Sequence, residues 1–197
     1  LTPLRASRQR DGDSPFSHLV NAIILTGGKN VMQKIHLLQF RENPGVARHE
    51  YECFLNKTGL SADVLKPLSA LDPDFEAEVA LEADALILGG SGEFLVSQND
   101  IPEARKMTRL VLNKALERDV PTLGVCFGSQ IMCDAFGGRV ELDSDRQETG
   151  AFEIDLHDEK EHCPIFKGLP ENFHVMLGHK DHMEVLPEGA ISLGKSE

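Results

Sequence analysis

The residues most suited to chemistry lie in Leu123-Gly124-Val125-Cys126-Phe127-Gly128-Ser129-Gln130. A thiol stands between two glycines, each two positions away. An apolar run after Pro121 reads as a strand, and residues 131–136 read as a helix closed by Gly137-Gly138. Strand, tight turn and helix with a G-x-nucleophile-x-G core form a nucleophile elbow. The glycines are needed because side chains at those positions would collide with the neighbouring strand and helix, while the nucleophile takes a strained backbone conformation. A sulfur at a helix N-terminus is expected to favour its thiolate. That chemistry is nucleophilic attack on a carbonyl carbon.

Acyl transfer needs donors for the developing oxyanion and a base for the thiol. Gly89-Gly90-Ser91-Gly92 follows an apolar strand, and its backbone can approach a substrate closely. The two expected donors are the N–H of Phe127 and one near Gly90. Candidate bases after the elbow are His157, His162, His174, His179 and His182. Among them His179 stands out, in the polar cluster Gly178-His179-Lys180-Asp181 that precedes Val185-Leu186-Pro187.

These loops need a scaffold. Residues 34–40 form a dense apolar run, as in a central parallel strand. Helical spacing follows over 46–57, with Gly59 as its C-cap. Val64, Leu65 and Leu68 make a weak second strand, and residues 83–88 a third, buried one. Asp100 to Glu103 reads as a capping box with Pro102 in the first turn. The helix that it opens carries Ala104, Met107, Leu110, Val111 and Ala115 on one face and stops near Arg118. Alternating strands and helices at this spacing predict an α/β fold, with a mostly parallel central sheet flanked by helices. Loops 41–45, 89–92 and 126–130 then share the carboxyl edge of the sheet, where such folds bind ligands. Beyond Arg139 the alternation of 139–142 and 152–156 predicts half-exposed antiparallel strands, with another strand at 173–177.

Composition narrows the function classes. The chain has 197 residues, suited to one domain, and a net charge of −12. That charge argues against nucleic acid or an anionic membrane as partner. No apolar run approaches the roughly 18 residues of a membrane span. The four cysteines, Cys53, Cys126, Cys133 and Cys163, lack C-x-x-C spacing. Neither a zinc site nor a disulfide framework is therefore expected, and a reducing cytoplasm fits. Residues 1–31 read as a flexible leader ahead of a domain over 32–197; the competing reading is a native extension with a strand at 22–25.

The order Gly89-Gly90-Ser91, Gly124-Val-Cys126-Phe-Gly128-Ser-Gln130, Glu148-Thr-Gly150, His179-Lys-Asp181 and Leu186-Pro187-Glu-Gly189 resembles the class I glutamine amidotransferases. The style is that of the glutaminase domain of GMP synthetase and its stand-alone relatives. The resemblance covers residues 32–197 and implies a flavodoxin-like fold. It also implies glutamine as substrate, with Cys126 forming a γ-glutamyl thioester. Gly90, Ser91, Phe127 and Gln130 would serve the oxyanion and substrate, and His179 and Asp181 would line the site. Ammonia would pass to a synthetase subunit or domain, with no metal and no cofactor in this half-reaction. One departure stands out. The family's His-Pro-Glu, which supplies the catalytic base and its carboxylate, is missing from this sequence. Two readings follow: the chain stops before that motif, which its abrupt end favours, or it is a degenerate binding or regulatory protein. Glyoxalase-like cysteine hydrolases share the elbow but usually carry His after the cysteine, where Phe127 stands here.

Overall fold

Every residue of β1 (Ile35–Gln39) is buried, as befits a strand covered on both faces. In the computed structural model, which describes residues 34–163, 165, 166 and 168–196, β1 lies inside a four-stranded sheet. Its neighbours are β2 (Leu65–Ser69) and β3 (Ala85–Leu88), and β4 (Thr122–Gly124) follows β3, giving the order β2-β1-β3-β4. All three pairings are parallel. This is the expected flavodoxin-like arrangement. The leader expected over 1–31, and the alternative strand at 22–25, lie outside the described residues.

Because successive side chains point to opposite faces of a strand, the apolar runs split into two cores. Leu38, Phe40, Leu86 and Leu88 pack against α3 (Pro102–Glu117) and α4 (Phe127–Ala135), meeting Val111, Leu112, Ala115, Phe127 and Ile131. The short helix α2 (Ala77–Ala80) joins the same layer through Ala77 and Ala80. Ile35, Leu37, Ala85 and Ile87 face the other way, onto Tyr51, Phe54 and Leu55 of α1 (Pro44–Thr58).

Helix ends follow local chemistry, with one correction. Asn43 caps α1 by accepting the N–H groups of Gly45 and Val46, Pro44 opens it, and Gly59 closes it at φ 72°. The capping box expected at Asp100 does not form. Asp100 instead accepts the N–H of Leu95 at 2.9 Å, closing the loop before the helix. Ile101 is left at the N-cap with φ 48° and no side-chain cap. The buried face of α3 is also rotated from expectation, since Thr108 and Leu112 are buried while Leu110 is 43% exposed. Thr108 tolerates the core because its hydroxyl donates to the Ala104 carbonyl at 2.8 Å.

The antiparallel second half divides into two small sheets. β5 (Arg139–Leu142) pairs with β8 (Asp181–Val185). β6 (Glu148–Leu156) lies between β7 (Asn172–His179) and β9 (Gly194–Ser196).

Candidate active site

Cys126 sits between β4 and α4 with φ 53° and ψ −113°. A non-glycine residue reaches that region only when its surroundings over-determine it. Two close approaches do so. A Cβ on Gly128 would fall 2.3 Å from the carbonyl oxygen of Leu88, and one on Gly124 would fall 2.7 Å from the nitrogen of Ser129. The turn is drawn in further by Val125, whose N–H donates to the Leu88 carbonyl at 2.9 Å. Phe127 anchors the helix start, buried edge-on against Phe40 with ring centroids 5.2 Å apart.

The expected thiolate is not what the surroundings favour. Desolvation pushes the Cys126 thiol above its ordinary value, although the residue keeps solvent contact. The Phe127 N–H and the Arg41 charge pull it down, and the Glu50 carboxylate adds to the rise. The cost of desolvation and a nearby anion outweighs the Phe127 N–H and the Arg41 charge.

Glu50 was invisible in the linear motif. Its side chain reaches from α1 across the carboxyl edge of the sheet. Oε1 accepts the N–H of Gly90 at 3.0 Å and Nη2 of Arg41 at 2.8 Å. Oε2 accepts Nε2 of Gln39 at 3.0 Å. A Cβ on Gly89 would lie 2.9 Å from Oε2, so this loop needs glycine to let the carboxylate in. Gly90 stands beside Cys126, where an added Cβ would lie 3.7 Å from that of the cysteine. The available signal was an acidic residue one helical stretch beyond a carboxyl-edge loop, which many surface helices also carry.

The remaining expected residues fall in two groups. The Ser91 hydroxyl accepts the N–H groups of Glu93 and Phe94, at 3.2 and 3.0 Å, and so shapes the loop after Gly90. Gln130 is buried, and its Nε2 donates to the Asp181 carbonyl at 2.9 Å. The Asp181 carboxylate accepts both the N–H and the hydroxyl of Ser97, at 3.0 and 2.5 Å. Gln130, Asp181 and Ser97 therefore tie α4, the start of β8 and the loop after β3 together. The ring of His179 bonds Glu148 through Nε2 at 2.9 Å and packs edge-on to His182. His157 is paired with the Ser192 carbonyl, and His174 is exposed on β7. The side chain of His162 lies outside the described residues. Among the described residues no hydrogen bond joins Cys126 to a histidine, nor does any histidine charge act on its thiol.

An open cleft of about 680 Å³ lies beyond β1 and β2, lined by Arg41, Ser69, Leu71, Ile101 and Pro102. Cys126 is not among its walls. Strand-edge geometry, not cavity size, therefore marks the candidate site.

Comparison with known proteins follows the same line. The family model for glutamine amidotransferase class-I matches residues 55–197. A GMP synthase (glutamine-hydrolyzing) of Thermosipho melanesiensis is 37% identical over 117 residues, 59% of this chain and 20% of that protein. The chain thus spans about a fifth of the length of that relative. One subunit of a GMP synthase (glutamine-hydrolyzing) of Methanococcus maripaludis is 30% identical over 146 residues, 74% of this chain and 68% of the relative. The crystal structure of a glutamine amidotransferase from Thermotoga maritima superposes with a TM-score of 0.67 at 18% identity, covering 85% of this chain and 69% of that one. This last likeness concerns the fold.

Proposed function

Because the chain belongs to the glutamine amidotransferase class-I family, we propose that its Cys126 hydrolyses the side-chain amide of glutamine and releases ammonia. The observation that carries this reading is the strained elbow, which holds Cys126 at φ 53° beside Gly90 on the carboxyl edge of the sheet. The thiolate sulfur adds to the amide carbon, and the carbonyl electrons move onto oxygen. Collapse breaks the C–N bond, and ammonia leaves after the nitrogen takes, through solvent, the proton that the Cys126 thiol gave up. Water then adds to the γ-glutamyl thioester, the C–S bond breaks, and glutamate and the free thiol result.

The N–H groups of Phe127 and Gly90 are the oxyanion donors in this reading. The first also serves the Cys126 sulfur and the second is bonded to Glu50. In this reading the oxyanion competes with Glu50 for the Gly90 N–H. Ser91 shapes the substrate loop, Gln130 holds the nucleophile helix, and His179 and Asp181 border the site. The ammonia would be consumed by a synthetase domain or subunit in the cytoplasm. Among the described residues no helix is long and apolar enough to cross a membrane.

A second reading, a degenerate amidotransferase that binds without turnover, draws on the raised thiol and on there being no histidine acting on Cys126 among the described residues. Glutamate release, with Cys126→Ala as the blank, separates them. Release above that blank supports hydrolysis. Saturable glutamine binding with none supports the degenerate form.

A further inference from the structure

We propose that Glu148, His179 and His182 form a binding site for a divalent transition-metal ion, for which zinc is the best chemical fit. Each of the three side chains offers one donor atom, and these atoms lie within 4.8 Å of one another. Ligands of one tetrahedral zinc sit about 3.3 Å apart, given metal–ligand bonds of about 2.0 Å. Small rotations of the side chains close the remaining gap, and Glu148 Oε2 is already 2.9 Å from Nε2 of His179. A carboxylate with two imidazoles is a zinc ligand set, whereas magnesium and calcium take oxygen ligands.

A second observation points the same way. Nδ1 of His179 and Nε2 of His182 are buried, and neither has a hydrogen-bond partner among the described residues. A buried polar atom left unpaired costs about 1–3 kcal/mol. A cation would take the buried lone pair of His182 Nε2 directly, with His179 ligating through the Nε2 that already faces Glu148. The two rings pack edge-on with centroids 5.3 Å apart, so they belong to one local cluster.

The backbone brings these residues together from two sheets. Glu148 faces His179 in the β6–β7 register, while His182 belongs to β8, opposite Glu141 of β5. One ion would cross-link the two small sheets at the turn that carries Asp181. That turn in turn receives Gln130 of the nucleophile helix. With three protein ligands the ion keeps one position for water. The proposed role is a staple, and it stands whether or not Cys126 turns over glutamine.

The test uses the full 197-residue chain carrying Cys126→Ala, which removes the exposed thiol as a competing ligand. Zinc retained after dialysis is measured by mass spectrometry, and affinity by competition with a chromophoric chelator. One bound equivalent is expected, with a rise in melting temperature that chelation reverses. His182→Asn and Glu148→Gln should each weaken binding by about tenfold or more. Failure of the parent to retain an equivalent, or equal affinity in both variants, overturns the site. If circular dichroism shows one variant unfolded, the other decides. If both unfold, cobalt(II) added to the parent decides: the intense visible bands of a four-coordinate nitrogen–oxygen site support the proposal, and a spectrum like that of the hydrated ion overturns it.

Discussion

At the scale of single residues, the state of Cys126 depends on an ion pair that flanks it. Arg41 lowers the thiol and Glu50 raises it, on top of desolvation. Glu50→Gln removes the anion while keeping a hydrogen-bond acceptor for Gly90. We therefore expect faster alkylation of Cys126 at neutral pH in this variant, and slower alkylation in Arg41→Gln. Each unit moved by the thiol changes its thiolate fraction about tenfold. Rates from peptide mapping with a glutamine-mimicking electrophile check this, and label falling mainly on Cys53, Cys133 or Cys163 would defeat the nucleophile assignment itself. A second residue sets a pH dependence of stability. His36 is buried, its Nδ1 bonded to the Ala80 carbonyl at 2.9 Å. Burial holds its pKa below the ordinary 6.5. The unfolded chain thus takes up the proton first as pH falls, so the stabilising contribution is complete above 6.5 and is lost below it. Urea midpoints should drop from neutral pH to about pH 5.5 by more in the parent than in His36→Asn. Equal slopes would show that other groups govern this range.

At the scale of elements, the contact between β3 and α4 is set by absent side chains. A methyl group on Gly128 would meet the Leu88 backbone at 2.3 Å, so strand or helix has to move. Gly128→Ala should cost about 1–3 kcal/mol, the usual range for overpacking, and should lower glutamate release by more than that loss of folded protein explains. A urea midpoint unchanged from the parent would mean that the elbow is looser than its geometry indicates. Helices α3 and α4 are joined differently, by Asp134, which accepts Arg105 at 3.0 Å and Arg109 at 2.8 Å. The element types were legible from hydrophobic periodicity: the 34–40 run marked β1, and Gly59 marked the end of α1, although that helix starts at Pro44, inside the stretch expected as a loop, and not at Val46. The start of α3 was not. Asp100 has two possible partners, the helix N-terminus or the Leu95 N–H, and the path of the preceding loop chooses between them.

At the scale of the whole molecule, turnover depends on a base for Cys126. No histidine acts on its thiol among the described residues, and general-base help is worth about 10²–10⁴-fold. The 197-residue chain alone should therefore release glutamate slowly. Robust turnover abolished by His179→Ala would instead make that imidazole the base, despite its bond to Glu148. Removal of residues 1–31 is expected to leave the fold intact, because β1 already has a partner on each side. A change in unfolding free energy well above the ~0.5 kcal/mol of a neutral surface change would place that segment in the structure. The sequence by itself determined the strand–turn–helix elbow with Cys126 at its turn, the glycines around it and the parallel α/β scaffold. These depend on local spacing and on period-two and helical patterns, which a linear string displays. Tertiary structure alone decided that Glu50 takes the Gly90 N–H, that Gln130 turns inward to Asp181, and that Glu148 meets two histidines. Each joins residues distant in the chain, and only the crossing of separate strands and helices brings such groups together.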